Sequence, residues 1–205
     1  MYVKISRKLV LFLLTVGTLA TANAQIQFGV KAGPSFTTFT GSDAGGAKLL
    51  VGLHGGAFVK IPFSDQFSLQ PELQYSQQGA KGTDQPTGIS FTNRCNYLTV
   101  PMMFTFTHSS GLILQTGPQV NFLLSASVKA NGTSADAKDS FKSTDVGWAT
   151  GIGYLSQANI GVIARYFAGW LNAENTNNMN TSGGGSIHNV GFQISVFYLF
   201  GRGER

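Results

Sequence analysis

The chain has 205 residues, of which 42% are hydrophobic, 12% aromatic and only 11% charged, against about 25% charged in an average soluble domain, so disorder and coiled coil are excluded. Its 26 glycines against 6 prolines are too many for a helical bundle and suit closely packed strands, and its single cysteine, Cys95, excludes an intrachain disulfide framework. The formal charge of +5 falls when Lys4, Arg7 and Lys8 are set aside with the N-terminal segment described next: 11 basic against 9 acidic residues remain, a net +2 without Lys/Arg clusters, which leaves no electrostatic footprint for nucleic acid.

Residues 4–8 are basic, Leu9 to Ala20 form an apolar run, and Ala22-Asn23-Ala24 places small residues where a signal peptidase reads them. This pattern predicts a secretory signal over residues 1–24, cleaved before Gln25. The apolar run is about a dozen residues, short of the roughly 20 that a spanning helix needs. The mature domain is therefore expected to be 25–205.

From Gln25 onward, the dominant signal is period two, the alternation of side chains across a strand. In the first predicted strand Ile26, Phe28, Val30, Ala32 and Phe36 oppose Gln27, Gly29, Lys31, Gly33 and Ser35. The second sets Leu49, Val51, Leu53, Ala57, Val59, Ile61 and Phe63 against Lys48, Gly52, His54, Gly56 and Lys60. The third sets Phe67, Leu69, Leu73 and Tyr75 against Ser68, Gln70, Glu72, Gln74 and Ser76, and the fourth sets Leu98, Val100, Met102, Phe104 and Phe106 against Tyr97, Thr99, Met103, Thr105 and Thr107. A fifth, Leu112 to Val128, carries Gln115, Gly117, Gln119, Asn121 and Ser125 on its polar face. The sixth places Val146, Trp148, Thr150, Ile152 and Tyr154 opposite Gly147, Gly151 and Gly153; the seventh places Ile160, Val162, Ala164, Tyr166 and Trp170 opposite Gly161, Arg165 and Gly169. The eighth sets Val190, Phe192, Ile194, Val196, Tyr198 and Phe200 against Gly191, Gln193 and Ser195.

Short turns are predicted at 64–66, 108–110 and 156–158, and long polar loops near 40–47, 78–94, 129–144 and 172–186. Eight strands with short turns at one end and long loops at the other describe an all-β, eight-stranded, antiparallel up-and-down transmembrane barrel. A soluble lipocalin-like barrel also alternates, with its apolar side inward. Three features favour the membrane form. Glycines crowd the polar face, as the concave side of a narrow barrel requires. Aromatics recur near both strand ends, at Phe28 and Phe36, Phe67 and Tyr75, Trp148 and Tyr154, Trp170, Tyr198 and Phe200, as two interfacial girdles would. The apolar faces also run about 9 to 11 positions, the length of a tilted crossing. Pro71, Pro101 and Pro118 fall inside these strands and each removes a ladder donor, so bulges are the expected place for them.

The stretches GVKAGPSF (29–36), GLHGGAFVKIPFSDQFSLQPELQYSQQGAK (52–81), YLTVPMMF (97–104), LQTGPQVNFLLSA (114–126) and ARYFAGWLN (164–172) together resemble the PorT-like family of small outer-membrane β-barrel proteins. The resemblance covers nearly the whole mature chain. It implies an eight-stranded barrel in the Gram-negative outer membrane, and the three prolines fall within its motifs. Gly201 to Arg205 follow the last aromatic, so the aromatic insertion signal is not terminal.

Glu72 and Arg165 are the Glu and Arg on predicted polar faces, each about five residues from the short-turn end, with Lys31 at a similar count. They are expected to meet as a lumen charge network that plugs or gates the barrel, or simply packs it, because charges in a narrow interior must be paired or hydrated. His54 and His108-Ser109 are candidates for general-base or nucleophilic chemistry, but no Ser/His/acid trio accompanies them, and no catalytic residue is assigned. Three dispersed histidines and Cys95 supply no metal set, Gly183-Gly184-Gly185 lacks a phosphate-loop context, and no cofactor is expected. The expectation is a non-catalytic structural or interaction protein of the outer membrane, in contact with its lipid, docking envelope proteins through loops or periplasmic turns, and monomeric. A narrow pore for water, ions or very small solutes is the alternative, followed by a lipid-modifying hydrolase and a soluble ligand-binding barrel.

Overall fold

The computed structural model describes residues 26–41, 47–83, 88–130, 132–170 and 188–201. The predicted signal segment and the whole 172–186 loop, with Gly183-Gly184-Gly185, lie outside them. Nine strands occur among the described residues: β1 Gln27–Thr40, β2 Lys48–Pro62, β3 Phe67–Thr83, β4 Ser90–Thr107, β5 Leu112–Ala130, β6 Thr133–Asp136, β7 Thr144–Leu155, β8 Ile160–Gly169 and β9 His188–Phe200. Eight of them form a closed antiparallel ring, because β1 pairs with both β2 and β9 while β4 pairs with β5. Closure leaves the eight-stranded ring without a free edge and pairs most of its backbone without water, as lipid demands. The short β6 lies outside the ring and pairs with the far end of β5.

Burial settles which face is inside. Phe28 is 60% exposed and Leu53 64%, while Arg165 is 2% and Glu72 3%. The apolar phase of every strand therefore faces outward and the polar phase fills the lumen, the reverse of a soluble barrel. Of the predicted girdle, Phe28, Phe67, Tyr75, Trp148, Tyr154, Trp170, Tyr198 and Phe200 are exposed on the outer wall, and Phe36 is half-buried there. Phe28 sits beside Phe200 at the short-turn end, and Phe36 sits beside Phe192 further up the same seam. Trp148 stacks on Trp170 at 6.0 Å and donates from Nε1 to Thr116 at 2.8 Å.

Three short turns lie at 63–66, 108–111 and 156–159, with the start of β1 and the end of β9 at the same end of the barrel. In the last, Asn159 adopts φ 61, and its backbone carbonyl accepts from Leu199 N, tying turn to C-terminal strand.

Five expectations are corrected. Lys48, expected on the polar face of the second strand, is exposed opposite Lys81, beyond the register shift in the β2–β3 pairing between Leu49 and His54. The region 78–94 is mostly strand: β3 runs to Thr83 and β4 begins at Ser90. The region 129–144 holds β6 and a short 3-10 turn, Lys138–Ser140. Ser125 faces outward, because Asn96 pairs with Ser125 but Tyr97 pairs with Leu123; Leu124 is the extra residue of a bulge that reverses the phase. Finally, the prolines do not sit at bulges. Around Pro71 the β3–β4 pairing stops after Pro71↔Met102 and resumes at Gln74↔Thr99 in the same register. The β4–β5 pairing likewise stops after Pro101↔Gln119 and resumes at Phe104↔Thr116, a gap that takes in Pro118. The ladder opens locally and closes again unshifted, so the missing donors cost hydrogen bonds but no register.

Candidate functional site in the barrel lumen

The inward phase of the strands brings Lys31 of β1, Glu72 of β3 and Arg165 of β8 into one cluster. Each cation is flanked in register by a glycine on one side, Lys31 by Gly56 and Arg165 by Gly151, and by an inward side chain on the other, Phe197 and Gln193 respectively. Glu72 Oε2 accepts from Lys31 Nζ at 2.6 Å and from Arg165 Nη1 at 2.8 Å, while Oε1 accepts from Arg165 Nη2 at 2.8 Å. Gln70 Nε2 donates to Oε1 at 2.7 Å and Gln74 Nε2 donates to Oε2, completing the carboxylate's shell.

Strand order gives this cluster its meaning. Passing round the ring from β3 through β2, β1 and β9, the fourth strand reached is β8. In a ring of eight, Glu72 and Arg165 therefore stand on opposite walls, and their bidentate pair spans the bore. Both side chains are almost wholly buried, at 0% and 2% exposure. Such a pair holds together because the Arg fork matches a carboxylate and the remaining lone pairs are satisfied by amides.

Apolar side chains narrow the bore on either side. Toward the short turns, Phe58, Ile113, Leu155, Ile163, Phe197 and Leu199 form a buried cluster, with Phe58 and Phe197 edge to face at 6.0 Å. Glycines make this floor possible: a Cβ on Gly29 would lie 2.1 Å from the Phe58 ring, and one on Gly161 would lie 2.2 Å from that of Phe197. Toward the long hairpins, Cys95, Tyr97, Leu123 and Ala126 pack together with Phe141 against them, and Phe141 also meets Phe39 at 6.2 Å. Phe141 is carried there by the segment after β6, which is tied to β5 through Ala137 N to Ala126 O and Leu123 N to Ser143 O. A narrow pocket open to solvent runs past these same floor residues to the charge cluster, where Lys31, Lys60, Gln70, Gln115 and Arg165 also line it.

Other lumen polar groups bond in pairs above the triad. His54 Nε2 lies 2.7 Å from Ser195 Oγ, Asn121 Nδ2 donates to Asp145 Oδ2 at 3.4 Å, and Asn189 Nδ2 donates to the Tyr97 hydroxyl at 3.3 Å. The His54–Ser195 contact was not legible from spacing, since the two residues are 141 apart in sequence. His54 Nδ1 has no hydrogen-bond partner among the described residues, so no acid orients the ring, and both residues are buried. His108 is exposed in its turn and bonds Ser110, not Ser109. Cys95 is buried and free, and no group of three or more His, Cys, Asp or Glu suited to a metal occurs among the described residues.

An inside-out barrel with a lipid-facing apolar wall and a polar, charge-paired lumen is the architecture of an outer-membrane protein. The family model for the outer membrane protein beta-barrel domain matches residues 21–174, and the chain belongs to that family. Neisserial surface protein A (NspA) superposes with a TM-score of 0.53 at 16% identity, covering 83% of this chain and 96% of that one. Ail, the attachment invasion locus protein of Yersinia pestis, gives 0.48 at 13% identity over 85% and 98% of the two chains. The outer membrane protein OprG of Pseudomonas aeruginosa gives 0.47 at 11% identity over 87% and 98%. No curated protein sequence matches the chain. The protein is thus an outer-membrane β-barrel located in the outer membrane.

Proposed function

We propose that this outer-membrane barrel is a closed, non-catalytic scaffold whose sealed lumen rigidifies the wall and whose outer hairpins and periplasmic turns present surfaces to envelope partners. The observation that carries the reading is the Arg165–Glu72 pair joining opposite walls, with an apolar floor beneath it. Eight strands leave an interior just wide enough for side chains, and here they occupy it. The buried His54–Ser195 contact, without an acid, supports leaving catalysis out. We read the barrel as a monomer in contact with outer-membrane lipid. We place it nearest the PorT-like group, on the motifs PELQY (71–75), VPMMF (100–104), TGPQ (116–119) and ARY (164–166). Glu72 and Gln74 belong to the first of these and Arg165 to the last, so the resemblance and the lumen cluster share residues.

A second reading, a narrow pore for water or small ions, is favoured by the pocket that reaches the triad from the short-turn end. Single-channel recording after reconstitution separates the two. The scaffold reading expects a silent bilayer from protein shown to be folded, and steady open-channel currents would replace it with the pore.

A further inference from the structure

We infer that the outer wall of β2–β5, just above the lipid-facing band, is a binding site for the phosphate groups of an outer-leaflet lipid. The inference rests on the membrane reading above, with the long hairpins on the outer side.

Along the sequence, Lys48, Lys81, Arg94 and Lys129 are scattered, but strand register assembles them. Lys81 pairs with Thr92, and Thr92 pairs in turn with Lys129. Adjacent strands lie about 4.8 Å apart, so Lys81 and Lys129 stand roughly 10 Å apart across a threonine. Arg94 lies two residues from Thr92 on the same strand face, and Lys48 lies directly opposite Lys81. All four are exposed, and among the described residues no carboxylate pairs with any of them. Like charges placed opposite each other in a sheet repel. An anion seated between its members would relieve that repulsion.

The wall below supplies the second observation. Descending from these cations on the outer face, Gln77 pairs with Asn96 and Asn96 with Ser125; next come Tyr75, Leu98 and Phe122, which are also neighbours in register. The surface thus passes from apolar and aromatic, through amide and hydroxyl, to cationic. A bilayer passes in the same direction from acyl chain through interface to headgroup. From Leu98 to Arg94 is four residues, about 13 Å along a strand and roughly 10 Å along the normal at a 40° tilt. This is headgroup depth, since the hydrocarbon core of about 30 Å is flanked by 5 to 8 Å of headgroup on each side, and long Lys and Arg side chains can bend back toward it. A phosphate carried on a glycolipid headgroup fits the spacing and the charge.

The test uses mature protein refolded in micelles containing lipid A with both phosphates, read by native mass spectrometry. The parent is expected to retain the lipid. Lys81→Gln/Arg94→Gln/Lys129→Gln should lose affinity roughly a hundredfold, at about fivefold per cation, while the charge-conserving Lys81→Arg/Lys129→Arg should retain it. Dephosphorylated lipid A should not bind. Equal retention by the folded Gln variant would overturn the inference, and so would displacement by inorganic phosphate, which would mark a free-phosphate site. A barrel that inserts into vesicles without preferring the phosphorylated lipid overturns this inference alone. A chain that does not insert overturns the membrane reading with it.

Discussion

Glu72→Ala is expected to lower the stability of the folded barrel by about 3 to 5 kcal/mol, because removing one partner strands buried charge. Here it strands two cations, Lys31 and Arg165, which are held close only because the same carboxylate accepts from both. Lys31→Met should cost less: the bidentate Arg165–Glu72 pair survives it, and the cluster becomes charge-balanced. Replacing Lys31, Glu72 and Arg165 together with Met should also cost less than Glu72→Ala alone, since apolar groups of similar volume replace buried ion clusters at little loss. Three residues acting as a unit give this non-additive pattern. Urea unfolding in micelles, followed by intrinsic fluorescence, reads all three variants. A Glu72→Ala midpoint equal to that of the parent would mean that the lumen is hydrated enough to carry the charges separately, and the account of a sealed bore would fail.

Gly33→Ala is expected to prevent barrel closure. Gly33 lies on β1 at the seam with β9, and a Cβ there would lie 1.8 Å from the backbone carbonyl oxygen of Ile194 and 2.9 Å from its carbon. The obstacle is backbone, which no rotamer change relieves. The seam is already open at this level, since Ala32 pairs with Val196 and the pairing resumes only at Ser35 with Gln193. Overpacking of side chains costs about 1 to 3 kcal/mol and more where backbone must move. Gly55→Ala is the control, because its nearest contact would be 3.5 Å away. The fraction of refolded protein that migrates as a compact band without boiling measures the effect. Yields for Gly33→Ala equal to those for Gly55→Ala would contradict the tight seam.

The alternation of side chains made most of this architecture legible. Polar and apolar phases in β1, β3 and β9 continue without interruption over the membrane-facing span, so both faces could be assigned residue by residue. The charged residues of the cluster were visible for the same reason: charges in the inward phase have nowhere else to go. Strand order then added what spacing could not, that Glu72 and Arg165 face each other across the ring. Phe58, Ile113, Leu155, Ile163 and Phe197 all fall in the inward phase close to the short turns. That signal was present, yet an interior expected to be polar concealed an apolar floor. The bulge at Leu124 had no local mark, since no Gly or Pro accompanies it, and it reversed Ser125. The upper parts of β3 and β4 are built from Gly, Thr, Asn and Gln, the residues of loops, and cross-strand pairing beyond the bilayer makes them strand. The cationic row was invisible for a related reason: its members come from separate strands and meet only in register.

The most direct measurement is refolding of residues 25–205 into detergent micelles, followed by gel migration with and without boiling and a far-ultraviolet dichroism spectrum. A strand-rich spectrum with a band that shifts on boiling is the predicted result for a closed barrel whose apolar wall faces lipid. A chain that folds in plain buffer, indifferent to detergent, would contradict it and turn the apolar face inward.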